Sequence, residues 1–112
     1  MQLKFIHLRC ATEDQGLLPK GGATIGYSLA DGRDEFQADV VRLHFVIAKC
    51  SPQDHFNKRL GRIICEGRMD AGQDTFMDIP RGLRRDQIRE LLAEQYYRDE
   101  ERYNAGVRNY VF

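Results

Sequence analysis

Residues 40–69, VVRLHFVIAKCSPQDHFNKRLGRIICEGRM, leave this chain few ways to fold. The first part alternates: Val41, Leu43, Phe45 and Ile47 share one face, and Val40, Arg42, His44, Val46 and Ala48 share the other. A period of two with one wholly apolar face is the pattern of a strand buried on that face. Ser51, Pro52 and Asp54 then read as a capping box of the Ser-x-x-Asp form with proline at the first helical position, which predicts a helix over 52–68. Along it Phe56, Leu60, Ile63, Ile64 and Gly67 fall on one side at helical spacing, and His55, Lys58, Arg59, Arg62 and Glu66 on the other. The apolar side is expected to pack on the sheet. Gly67 within it lets the backbone come close, at a cost of about 1 kcal/mol in helix propensity.

A chain of 112 residues supports one domain, 1–112, with a single modest core. Lys plus Arg and Asp plus Glu are both 17, so the net charge is zero. That excludes a wholly basic nucleic-acid binder and leaves room for a local basic patch. Cys10, Cys50 and Cys65 are odd in number and contain no Cys-x-x-Cys pair, which suggests neither a disulfide framework nor a zinc knuckle. A reducing, cytoplasmic setting is expected. No apolar run is long enough to span a bilayer, and MQLKFIHLRC lacks the pattern of a cleaved signal, so no membrane partner is expected.

The remaining elements follow from periodicity and punctuation. Strands are predicted at about 2–10, 23–30 and 36–50, with a loop of mixed charge, Pro19, Lys20 and the pair Gly21-Gly22 between the first two. Asp31-Gly32 predicts the tight turn that sends the second strand back as the third. FMDIP reads as a brief extended piece, and a second helix is predicted over about 83–104, with Ile88, Leu91, Leu92, Tyr96 and Tyr103 as its apolar stripe. Its basic residues crowd the start and its acidic residues the end, against the helix dipole. VRNYVF reads as an edge strand or an apolar plug. The expected architecture is α+β: a small antiparallel sheet of three or four strands with two helices packed on one face.

Among candidate sites, the basic residues come first. Lys58, Arg59, Arg62 and Arg68 on the first helix, and Arg81, Arg84, Arg85 and Arg89 near the start of the second, make one cationic surface if the loop between the helices folds back. The alternative is a solvated face balanced by Asp54, Glu66 and Asp86. His7, His44 and His55 have no ligand spacing, so no metal or other cofactor is expected, although His7 and His44 are close enough in strand order to meet as a polar pair. Cys50 and Cys65 flank the corner and raise a nucleophile reading with His44 or His55, which needs a base in reach that spacing does not supply. Lys20-Gly21-Gly22 leads into a strand, unlike a phosphate loop, which opens a helix.

The segment 50–69 resembles a signature found in small proteins encoded by bacteriophages and other mobile elements. The resemblance is carried by Ser51, Pro52, Asp54, Phe56, Lys58, Gly61, Arg62, Gly67 and Arg68. It implies an accessory protein that inhibits or retunes a host enzyme or defence system. Ser51, Pro52, Asp54, Phe56 and Gly67 have structural work at the corner, which leaves the cations unexplained by folding. The expected function is therefore non-enzymatic binding, in an anti-defence setting, of a host or defence complex whose nucleic-acid path or acidic surface the basic face meets. Direct low-specificity nucleic-acid binding is the alternative, followed by a nucleotide-binding sponge or small enzyme.

Overall fold

The computed structural model of the chain describes residues 2–12, 14, 16–33, 36, 39–51, 53–101 and 109–111. Four antiparallel strands form the sheet in the order β1 (Lys4–Thr12), β3 (Ala23–Arg33), β4 (Asp39–Lys49) and β5 (Thr75–Ile79), and β2 (Gly16–Leu17) and β6 (Asn109–Val111) pair with the end of β1. The two helices are α1 (Lys58–Asp70) and α2 (Arg85–Glu101). The α+β class is as the sequence predicts.

Alternation along the strands sorts the core into two layers. Ile6 and Leu8, Ala23, Ile25 and Tyr27, Leu43 and Phe45, and Ile79 point to one face, where they bury against Ile88, Leu92, Ala93 and Tyr96 of α2. Phe5, Val46 and Ala48 point to the other, against Ile64, Cys65 and Met69 of α1. The helices therefore lie on opposite faces, and the expectation that both share one face is corrected. The sequence hides this because both faces of β3 and β4 are apolar near Thr24, Gly26, Val46 and Ala48, so one covering layer leaves the other exposed.

α1 sits close to the sheet because side chains are missing at the contact. A Cβ on Gly26 would lie 2.9 Å from the Cβ of Cys65, and one on Gly61 would lie 2.7 Å from the Cβ of Thr24. Gly61, not Gly67, makes the close approach: Gly67 is exposed and a Cβ there would meet nothing within 4 Å. The helix is consequently rotated from the expected orientation. Gly61 and Cys65 are its buried residues, while Leu60 and Ile63 stand in solvent.

Its start is also later than predicted. Asn57 is the N-cap, its side chain accepting from the Leu60 N–H at 3.0 Å. The Ser51 side chain accepts instead from Gln53 N at 3.3 Å, and the Ser51 carbonyl accepts from Asp54 N, which makes a turn rather than a helix; Pro52 lies outside the described residues. The reason is competition for the backbone. Gly21 N donates to Asp54 O and Phe56 N donates to Pro19 O, so the Lys20–Gly22 loop takes groups that a helix from residue 52 would need. Gly21 and Gly22, at φ 79° and 99°, give that loop its shape.

The hairpin turn is displaced as well. Asp31 and Gly32 remain inside β3, paired with Val41 and Val40, and pairing continues to Arg33 and Asp39. The third strand starts at Asp39 rather than 36, and Phe36 lies in a turn. α2 starts at Arg85, with Gln87 accepting from the Arg84 N–H at 2.9 Å in the reciprocal half of a capping arrangement; positions 102–104 of the predicted second helix, with Tyr103, lie outside the described residues.

Gly61→Ala should destabilise the fold by about 1–3 kcal/mol, because Thr24 is buried on a central strand and cannot retreat. Gly67→Ala should be neutral or stabilising by up to about 1 kcal/mol, since the position is open and helical. Urea midpoints of the two variants check both, and equal midpoints would remove this account of the packing.

Candidate functional site

The eight predicted basic residues do not make one surface, and one of them, Arg81, is paired with Asp31 at 3.0 Å. Lys58, Arg59, Arg62 and Arg68 belong to α1, and Arg84, Arg85 and Arg89 to the start of α2 on the far side of the sheet. Several are already engaged. Arg84 Nε is 3.3 Å from Asp86 Oδ1, and Arg89 has an interaction within the chain. Arg68 Nη1 donates to the Ile47 carbonyl at 2.6 Å. That carbonyl lies where β4 has run past β5, whose pairing stops at Phe45 and Thr75. Arg68 thus covers a strand edge that would otherwise be open, a use of a charged side chain that limits edge-to-edge pairing.

Lys58, Arg59 and Arg62 are different. All three are exposed, and none has a hydrogen bond or ion pair among the described residues. They occupy the first two turns of α1, whose first turn contains no acidic residue. Positive side chains at the positive end of a helix dipole cost roughly 0.3 kcal/mol or more each. Folding therefore does not account for them, and an anion placed there would gain from both the side chains and the dipole.

Behind this cationic start lies a tight cluster. Phe56 is not part of the helix stripe; it packs edge-on to His7, with ring centroids 6.0 Å apart, and carries the Arg9 guanidinium 5.0 Å above its ring. Arg9 Nη2 donates to the Leu18 carbonyl at 2.9 Å, so Arg9 is fixed to the fold rather than offered outward. The Phe56 ring is covered in this way and provides no stacking platform for a base. His7 Nδ1 shares a 3.0 Å hydrogen bond with Thr24 Oγ1, the same threonine that faces Gly61. Burial first, then the charges of Lys58 and Arg62, hold the His7 imidazole below its ordinary value of 6.5.

His7 and His44 do not meet. His44 is on β4, where its Nδ1 is 2.7 Å from Asp74 Oδ2 and its ring is 5.7 Å from that of Phe76. Ser28 lies directly opposite His44 in register. A hydroxyl, an imidazole and a carboxylate in a row invite a hydrolase reading, yet Ser28 is only 8% exposed on a regular strand, which leaves no space for a substrate carbonyl beside it. Next to them Arg42 Nε bonds Asp78 Oδ1 at 3.0 Å and its guanidinium lies 4.6 Å from the Phe76 ring centroid. These pairs latch β5 and the loop before it onto β4.

Cys50 and Cys65 both direct their thiols at backbone carbonyls. The Cys50 thiol faces the carbonyl oxygens of Ser51, Asp54 and His55 at 3.4–3.6 Å, within the turn that precedes α1. Cys65 is fully buried and its thiol faces the Thr24 carbonyl at 3.4 Å; burial pushes its pKa up. Among the described residues no three His, Cys, Asp or Glu side chains come together to hold a metal, and no helix is long and apolar enough to cross a membrane. A groove of about 550 Å³ between α1 and β1, lined by Leu3, Phe5, Met69, Gln2, Glu66 and Asp70, carries two carboxylates and is unsuited to phosphate.

Asn57 and the Gly61-x-x-x-Cys65 spacing were the signals that sequence reading passed over. An asparagine ahead of a helical run is a strong N-cap, and two small residues one turn apart mark a face that can approach a sheet.

The depressed pKa of His7 sets a sign for pH dependence. The folded protein favours the neutral imidazole, whereas the unfolded chain takes up a proton at the ordinary value, so stability present above pH 6.5 is lost as pH falls below it. Arg62→Gln removes one cause of the depression. Its urea midpoint should fall less than that of the parent between pH 7.5 and 5.5, and parallel curves would rule out the coupling. No protein-family model matches the chain, and no curated protein or solved structure matches it either, so its own residues carry the functional reading.

Proposed function

We propose that this is a non-enzymatic binding protein that lays the cationic start of α1 on an anionic surface of a nucleic-acid-handling complex, in the manner of a mobile-element accessory protein acting against a host or its defences. One observation carries the reading: Lys58, Arg59 and Arg62 are exposed, have no partner among the described residues, and stand at the end of the helix where the dipole disfavours them. The resemblance of residues 50–69 supplies the setting. The cations sit on a helix held rigidly to the sheet, so the side chains are displayed from a fixed backbone, which lowers the ordering cost of an encounter.

A protein surface is favoured over nucleic acid itself. Three unpaired cations bring a modest salt-dependent attraction to phosphates, and the aromatic ring nearest to them, Phe56, is already covered by Arg9 and His7.

Lys58→Glu combined with Arg62→Glu should leave the far-ultraviolet circular dichroism unchanged and weaken capture of a stoichiometric host complex by about 100-fold, or about 2.7 kcal/mol. Undiminished capture by the double variant would sink the proposal. Anisotropy with labelled duplex DNA at low salt separates the alternative: tight, salt-sensitive binding lost in the same variant assigns the surface to nucleic acid directly.

A further inference from the structure

Leu60 and Ile63 are 52% and 53% exposed on the outside of α1. Single exposed aliphatics are ordinary on a protein surface. These two, however, lie on one line with Gly67, at i, i+3 and i+7, and the space above Gly67 is open. Half-buried Ile64 borders the line on the side of the core. Along its other flank the charges are ordered: Arg59 stands near the start of the helix, and Glu66 and Asp70 stand near its end. All three are exposed, and none has a hydrogen bond or ion pair among the described residues.

This surface is complementary to itself under one operation, a two-fold axis perpendicular to the helix. We propose that α1 packs antiparallel against α1 of a second copy of this chain. Leu60 of each copy then fills the space above Gly67 of the other, and the two Ile63 side chains meet beside the axis. The pair Leu60 and Gly67 is centred between Ile63 and Ile64, and the pair Arg59 and Asp70 between Ile64 and Cys65, one residue further on. Knob, gap and charges therefore come into register together, with Arg59 facing Glu66 and Asp70 across the seam. A parallel pairing would set Arg59 on Arg59 and Glu66 on Glu66, and like charges would oppose it.

The occupant is a second copy rather than an unrelated protein because the charge order reverses about the same point as the apolar line. A 13-residue helix is about 20 Å long at 1.5 Å per residue. Two such helices bury less than the roughly 800 Å² per partner of a standard interface, so the dimer is weak and depends on concentration. The inference does not rest on the anionic partner. By helical spacing Lys58 and Arg62 fall on the side of α1 opposite the line of Leu60 and Gly67 and stay open when two copies pair, whereas Arg59 passes into the seam.

Sedimentation equilibrium of the full chain over roughly 5–500 μM tests this, the upper end being where so small an interface fills. A monomer–dimer equilibrium is expected. Ile63→Glu and Gly67→Leu should each raise the dissociation constant at least about tenfold. Gly67→Leu places a good helix former at an open position, so its loss of association cannot be assigned to unfolding. Arg59→Glu should weaken the dimer, and Arg59→Glu with Glu66→Arg and Asp70→Arg should restore it. A monomer at every concentration, a dimer indifferent to Gly67→Leu, or a charge-swapped variant that stays monomeric would each overturn the proposal.

Discussion

Everything on the α1 side of this molecule depends on two absent side chains. Gly26 on β3 gives room to Cys65, and Gly61 on α1 gives room to Thr24. The contact is made at two points one helical turn apart, so it fixes distance and rotation together. Thr24 is itself held by His7, and Cys65 directs its thiol to the Thr24 carbonyl. Dispersion contacts at this range fall off steeply with separation, so a helix lifted by one methyl group would lose much of the interface at once. The opposite face is held differently, by interdigitating large residues such as Tyr27, Leu43, Ile88 and Leu92.

The rotation so imposed decides what the helix shows. With Gly61 and Cys65 turned inward, Leu60 and Ile63 are turned out, and the first-turn cations emerge beside the His7 and Phe56 cluster. The connector before the helix has a separate anchor. Its backbone is bonded to the Lys20–Gly22 loop, and Phe56 plugs the angle between them against Gly22 and Arg9. Site and fold are therefore built from the same residues: Thr24 is at once a strand residue, the hydrogen-bond partner of His7 and the wall that Gly61 meets.

Much of the fold was legible because the strands announce themselves by alternation. The strands expected at 23–30 and 36–50, the extended piece in FMDIP and the helix expected over about 83–104 correspond to β3, β4, β5 and α2, with their ends shifted by a few residues. What misled was local chemistry with a competing use. Ser51, Pro52 and Asp54 have the composition of a helix start, but the loop at Lys20–Gly22, distant in sequence, claims the backbone there. Asp31-Gly32 has the composition of a turn, but continued pairing of the flanking residues keeps it extended. The larger apolar side chains of α1 were taken for its buried face, when the small ones were. Hydropathy ranks leucine above glycine; close packing against a sheet ranks them the other way. The cations at 58, 59 and 62 could be named from sequence, whereas their separation from Arg84, Arg85 and Arg89 by the thickness of the sheet required the topology.

The guanidinium of Arg68 links this helix to the exposed rim of β4. Because the side chain that shields the rim is carried by α1, shielding lasts only while α1 is docked. A fluctuation that frees the helix bares both the apolar patch around Val46 and Ala48 and the Ile47 carbonyl beside it, in one event. The fold thus ties the end of β4 that runs past β5 to a closely seated helix, and the cover on that rim depends on how firmly two glycines let the helix sit.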